Sequence, residues 1–271
     1  MRKGVFSLDV LKRNHVNVSG ESGRTVVFAH GLGCDQTVWN RVEPAFEGDF
    51  RTVLFDYVGA GESDRSAYSP GRYGSLAGYA KDVVEIADAL ELHDAVFVGH
   101  SVSSMIGAIA TLERPSAFGQ LVMIGPSPRY LNDSGYTGGF ERADVEELLE
   151  MMEMNYLEWA KYMAPVSMQN PDRPALTEEL EQRFAKNDPS VMRQFAEVTF
   201  LSDCRDLLNE IKVPTLILQT QGDAVVPPEV GRFIHDRIPG SEYKLMDANG
   251  HNPQISAPQE TIRAILKFIG E

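Results

Sequence analysis

A serine hydroxyl is a weak nucleophile until a base takes its proton, and the base works well only when a third group holds its tautomer and orientation. One stretch of this chain is built for such a serine. The apolar run Ala95 to Val98 leads into Gly99-His100-Ser101-Val102-Ser103, and the helical segment Ser104-Met105-Ile106-Gly107 follows at once. A serine forced into a tight strand-to-helix turn presents its Oγ above the carboxyl end of the strand, while small flanking residues let strand and helix cross closely. The usual spacing is Gly-x-Ser-x-Gly; here Ser103 stands in the second glycine position and is still small. An ordinary loop serine would need neither the strand before it nor the helix after it.

With this kind of turn the acid and then the histidine follow the serine in chain order. Beyond Ser101 the histidines are His235 and His251. His251 lies in the polar, Gly-containing stretch Asp247-Ala-Asn-Gly-His-Asn-Pro253, after the last strand-like run, where the base belongs; His235 falls within the helical run Glu229 to Ile238 and reads as a solvated helix face. The acid should follow the run ending at Leu218, and Asp223 is the carboxylate of Gln219-Thr-Gln-Gly-Asp-Ala-Val-Val-Pro227. An Asp after Gly is also a common turn residue. Asp247 is the runner-up acid, close to His251 on the same loop. Acyl transfer further needs donors aimed at the developing oxyanion, and the backbone N–H groups of Val102 and Leu32 are the candidates. Leu32 sits in His30-Gly-Leu-Gly33 just after the run Val26 to Ala29, where His30 is expected to brace the loop. The stretch Asp56-Tyr-Val-Gly-Ala-Gly-Glu-Ser-Asp64 lacks the lysine of a phosphate-cradling loop and reads as a structural turn.

The elements that must position these residues are legible as short continuous apolar runs: Thr25 to Ala29, Thr52 to Phe55, Ala95 to Val98, Leu121 to Ile124 and Thr215 to Leu218, with a weaker Tyr243 to Met246 last. Continuous rather than alternating runs mark strands buried on both faces of a parallel sheet. Helical spacing lies between them, over Leu76 to Leu90 and Ser103 to Leu112, and again at Glu260 to Ile269. Strand then helix, repeated, predicts a doubly wound sheet. The alternation breaks between Tyr130 and Leu208, where helices are expected at Glu141 to about Asn155, Tyr156 to Met163, Thr177 to about Lys186 and Pro189 to Leu201. Asn170-Pro-Asp-Arg-Pro174 and Asn187-Asp-Pro189 punctuate them. Residues 131–204 are thus expected as an insertion in a core of residues 1–130 and 205–271.

The chain has 271 residues, with 43% hydrophobic and 24% charged, as expected for one sizeable globular domain with an insertion. A net charge of −14 argues against nucleic acid or an anionic membrane surface as partner, since those polyanions would repel it. The N-terminal stretch Met1 to Val10 lacks the sustained apolar run of a leader, and no segment reaches about 18 uninterrupted apolar residues, so a cytoplasmic protein is expected. Cys34 and Cys204 lie far apart without metal-ligand spacing and read as packing residues; no metal or other cofactor is expected.

The stretches His30-Gly-Leu-Gly-Cys-Asp-Gln-Thr-Val-Trp39, Phe55-Asp-Tyr-Val-Gly-Ala-Gly-Glu-Ser63, Val98-Gly-His-Ser-Val-Ser103, Gly125-Pro-Ser-Pro-Arg-Tyr-Leu-Asn-Asp133 and Gly138-Gly-Phe140, with Ser202-Asp203, closely resemble the RsbQ-like proteins. These are bacterial stress-signalling members of the α/β-hydrolase fold, related to the plant karrikin and strigolactone receptors. The resemblance spans nearly the whole chain. It implies a mostly parallel central sheet flanked by helices, a four-helix cap over the site, and slow hydrolysis of a small hydrophobic ligand. It also implies an RsbP-like phosphatase as partner in a stress response. Carried over by position, the pocket lining would be Leu32, Tyr130, Phe140, Leu148, Trp159, Met163, Phe200 and Ala224, though helical apolar stripes also serve simply as cap packing. Leu32 and Met163 are aliphatic where the plant receptors tend to carry aromatics. Haloalkane dehalogenases and epoxide hydrolases of this fold carry Asp where Ser101 stands. Two functions therefore compete: a metabolic carboxylesterase, and a ligand-gated signalling module using the same residues. A small closed cavity beside Ser101 would favour the second.

Overall fold

The computed structural model describes residues 9–270. The expectation read from Met1 to Val10 falls, for residues 1–8, outside the described residues. Seven strands form one sheet in the spatial order β1-β3-β2-β4-β5-β6-β7: β1 (Asn17–Ser19), β2 (Arg24–Ala29), β3 (Phe50–Leu54), β4 (Ala95–His100), β5 (Phe118–Ile124), β6 (Thr215–Gly222) and β7 (Glu242–Asn249). From β3 to β7 all pairings are parallel, as the continuous apolar runs require. The exception is β1, antiparallel to β3 at the edge. Its three residues, Asn-Val-Ser, are all exposed, so it carries no apolar run for a sequence to display. The weak last strand is longer than expected and runs through Asp247 to Asn249.

Helices cover both faces. Helix α1 (Leu76–Ala89) buries Leu76, Tyr79, Ala80, Val83, Ile86 and Ala87, the stripe its 3.6-residue spacing predicts. It packs on α2 (Val102–Glu113), which begins one residue after Ser101. Four helices without strands fill the segment between β5 and β6: α3 (Arg142–Met154), α4 (Tyr156–Met168), α5 (Pro174–Ala185) and α6 (Pro189–Leu201). Helix α3 packs on α4 and α6, and α4 on α5. Helix α4 outruns the stretch expected from the sequence, passing through Pro165 to bury Ala164, Ser167 and Met168. Burial of that last turn outweighs the donor that proline removes. Helices α7 (Pro228–His235) and α8 (Pro258–Ile269) complete the core layers. The carboxyl ends of β4 and β5 come level with Leu218, since His100 pairs with Ile124 and Ile124 with Leu218, and β6 and β7 run on together to Gly222 and Asn249. In open parallel sheets that edge is where sites form.

Candidate active site

The chain leaves β4 at His100, and the N–H of Ser101 extends the ladder by donating to the carbonyl of Ile124 at 2.7 Å. Ser101 then turns at φ 56° and ψ −124° into α2. A side chain at positive φ is strained, and such strain persists only where the surroundings hold it. Here a ladder bond on one side and a helix on the other do so. Because Val102 is the first residue of α2, its N–H has no partner within the helix and is available above the strand end.

Three loops converge on this turn. His251 follows β7, and its Nε2 is 2.7 Å from Ser101 Oγ, while its Nδ1 is 2.8 Å from Asp223 Oδ2 in the loop after β6. A carboxylate accepts only, so Nδ1–H donates to Asp223 and Nε2 accepts from the serine hydroxyl. The other carboxylate oxygen, Oδ1, accepts the backbone N–H groups of Val225 at 2.8 Å and Val226 at 3.0 Å, which fixes the Asp223 side chain. All three groups are buried. Gly125, at φ 56° after β5, lies beside the pair: a Cβ there would come within 3.1 Å of the His251 ring. The runner-up acid, Asp247, is exposed on β7. His235 is exposed at the end of α7 and bonded to Ser241, as a helix-face residue would be.

Residues around the turn form a polar scaffold. His30 is fully buried; its Nδ1 is 3.0 Å from the carbonyl of Gly31 and its Nε2 accepts the N–H of Tyr57 at 3.2 Å. It therefore ties the loop carrying Leu32 to the segment after β3. Ser103, the residue in place of glycine, donates to the carbonyl of His30, and its oxygen lies 2.9 Å from the Tyr57 hydroxyl. His100 Nε2 donates to the carbonyl of His251 at 2.7 Å. Burial and then the neighbouring His251 push its pKa down to about 3, so His100 is neutral and keeps that donor. Sequence reasoning passed over Tyr57 and His100. The signal for the first was Ser103 itself, since a hydroxyl in the buried first turn of a helix must find a partner.

A cavity of about 40 Å³ adjoins Ser101. Leu32, Tyr130, Trp159, Met163 and Phe200 line it, as do Phe184, Thr199, Ser167 and Val225, which the sequence did not single out. Phe140, Leu148 and Ala224 are not in its wall. Phe140 stacks edge-on against Phe200, at 5.4 Å between ring centroids, behind the lining. Leu148 is buried on α3 within the helical layer, and Ala224 points to solvent where Val225 turns inward. The Tyr130 hydroxyl is 3.3 Å from Ser101 Oγ. Since the serine proton is engaged by His251, Tyr130 donates in this contact; burial raises its pKa above the usual phenol range. The Asp56 to Asp64 stretch is a turn, in which buried Asp56 accepts the N–H groups of Gln36 and Glu62. Cys34 and Cys204 are free and buried, and burial pushes their thiols up to about 12 and about 11, so both stay protonated at neutral pH. Among the described residues no cluster of His, Cys, Asp and Glu could hold a metal ion, and no helix is long and apolar enough to cross a membrane.

A family model described as alpha/beta hydrolase fold matches residues 24–258. The Karrikin insensitive 2 receptor CA of Petunia hybrida is 37% identical over 261 residues, covering 96% of this chain and 97% of that protein. The Strigolactone esterase D14 of Arabidopsis thaliana is 36% identical over 262 residues, covering 96% and 98%. The solved structure of olei00960, a hydrolase from Oleispira antarctica, superposes with a TM-score of 0.94 at 43% identity and covers 97% of both chains.

Proposed function

This chain belongs to the α/β-hydrolase family and is an esterase-like hydrolase with a serine nucleophile, and from that premise we propose that Ser101 is the nucleophile, His251 the base and Asp223 the acid. The observation that carries the assignment is the unbroken relay from Ser101 Oγ through both His251 nitrogens, at 2.7 and 2.8 Å, to Asp223. His251 takes the serine proton as Oγ attacks the ester carbonyl, and the N–H groups of Val102 and Leu32 stabilise the oxyanion. The imidazolium, stabilised by Asp223, then protonates the leaving alcohol. Water repeats the sequence on the acyl-serine and frees the acid. In this reading residues 131–204 act as a cap over a core of residues 1–130 and 205–271, and Leu32, Tyr130, Trp159, Met163 and Phe200 contact a small hydrophobic substrate. Ser101→Ala should lower kcat on a p-nitrophenyl acetate assay by on the order of a millionfold, and His251→Ala nearly as much. His235→Ala should stay near wild type. Substantial turnover by Ser101→Ala would sink the assignment.

The size of the cavity favours a sensing role over a broad metabolic esterase. Drug-sized ligands occupy pockets of roughly 300–1,000 Å³, far above the roughly 40 Å³ beside Ser101. An ester larger than a few atoms enters as the lining side chains, or the inserted helices that carry them, shift, which couples occupancy to the conformation of those helices in this reading. That linkage supports an RsbQ-like, cytoplasmic regulator whose slow turnover resets a signal; its RsbP-like phosphatase partner rests on the motif resemblance alone. Slow single-turnover kinetics and ligand-dependent binding to such a phosphatase would support this role. Fast multiple turnover on many simple esters would favour the metabolic one.

A further inference from the structure

The stretch Asn170-Pro-Asp-Arg-Pro174, which the sequence presents as mere punctuation between helices, makes contacts that a linker does not need. Helix α4 ends at Met168, and Gln169 at φ 48° turns the chain back. A helix leaves its last carbonyls without partners. In α4 the carbonyl of Ser167 is taken by the backbone N–H of His251 at 2.7 Å, and that of Met168 by the Asn170 amide. Proline at 171 has no N–H with which to compete for Ser167. The buried Asn170 amide also donates to the carbonyl of Asn249 at 3.1 Å. Arg173 donates to the Asn170 side-chain oxygen and, at 2.7 Å, to the carbonyl of Ser256. The fit leaves no slack: a Cβ on Gly250 would meet the Met168 carbonyl at 2.0 Å.

We propose that the end of α4 and the Asn170–Arg173 turn form a clasp that positions His251, so that the inserted helices set the geometry of the base as well as the shape of the pocket. The inference rests on reading His251 as the base. The segment from Asn249, at the end of β7, to Ser256 is held from the sheet side by Thr220, whose hydroxyl donates to the Gly250 carbonyl at 2.8 Å, and by His100. Its other side is held by the clasp. Movement of α4 away from the sheet draws on the His251 N–H and on Asn249 directly, lengthening the 2.7 Å contact to Ser101 Oγ. Asn170 and Arg173 are thus positioning residues, remote from substrate.

The test compares Asn170→Ala, Arg173→Ala and His251→Ala with wild type on p-nitrophenyl acetate, and follows the downfield proton resonance of the His251–Asp223 hydrogen bond by NMR. Asn170→Ala should lower kcat roughly tenfold to a hundredfold with KM within about twofold, because small misplacement of a reacting group costs that much. The His251 proton resonance should shift or broaden. Arg173→Ala, at an exposed residue, should fold as the wild type does and give a smaller change in the same direction. Should both clasp variants keep kcat within twofold, raise KM alone, or lose kcat with an unaltered resonance, the clasp is overturned. An active His251→Ala protein would overturn the base assignment and the clasp together, whereas an inactive one beside fully active clasp variants overturns the clasp alone.

Discussion

His100 illustrates how a residue next to Ser101 serves the site through the backbone of its neighbours. Held neutral by burial, it donates to the backbone of His251 and so fixes the ring that bridges Ser101 and Asp223. The same burial has a cost in acid. In the unfolded chain this histidine titrates near its ordinary 6.5, while in the folded protein it does so at about 3. Between these values the unfolded state binds a proton that the folded state refuses, so the contribution to stability is complete above about pH 6.5 and is lost as pH falls toward 3. The folded-to-unfolded ratio should drop by up to about tenfold per pH unit from this group. His100→Gln keeps an amide donor and has no such titration. Urea midpoints at pH 7 and pH 4.5 should therefore separate less for the variant than for wild type, and equal separations would contradict the account.

Among the elements, α6 shows most plainly how a local signal starts a structure. Asp188 precedes Pro189 at the helix start, and its carboxylate accepts the N–H groups of Ser190 at 3.0 Å and Val191 at 3.2 Å. Bonding to Ser190 holds that carboxyl below its usual range. The cap positions Met192, Phe195, Ala196, Thr199 and Phe200 as one buried stripe, the last two on the cavity. Asp188→Ala should cost about 1 kcal/mol, the usual loss for an N-cap, and lower the Tm by roughly 2–4 °C in a domain of this size. Calorimetry on the two proteins checks this; an unchanged Tm would mean that α6 is held by packing alone. The start of α6 and the stripes of α1 and α8 were readable because caps and 3.6-residue periodicity are local. Strand β1 was not, because an exposed three-residue edge owes its structure to the pairing with β3.

For the molecule as a whole, the sheet presents the strand ends, and side chains from the helices between β5 and β6 line the cavity beside Ser101. The narrowness of the cavity follows from large side chains supplied by different layers, Trp159 and Met163 from α4, Phe184 from α5, and Tyr130 from the segment after β5. Met163→Ala should enlarge it and raise the kcat/KM ratio of butanoyl over acetyl esters by roughly tenfold or more, since each methylene accommodated in an apolar pocket is worth about 1–3 kcal/mol. The variant should also lose about 2–5 kcal/mol of stability to the new void. An unaltered chain-length ratio would show that the acyl group binds elsewhere. The chain alone sufficed to locate the turn at Ser101, the loops after β6 and β7 that carry Asp223 and His251, and the alternation of strand and helix, because each is carried by residues close in sequence. It also marked the helical insertion, through the absence of strand-like runs. Which side chains meet across that insertion was decided only in three dimensions. Val225 rather than Ala224 faces the cavity, Phe140 and Leu148 fall outside its wall, and Asn170 reaches a loop about eighty residues away in sequence. Such contacts depend on how rigid helices seat against the sheet, a matter of packing between distant segments that no local spacing encodes.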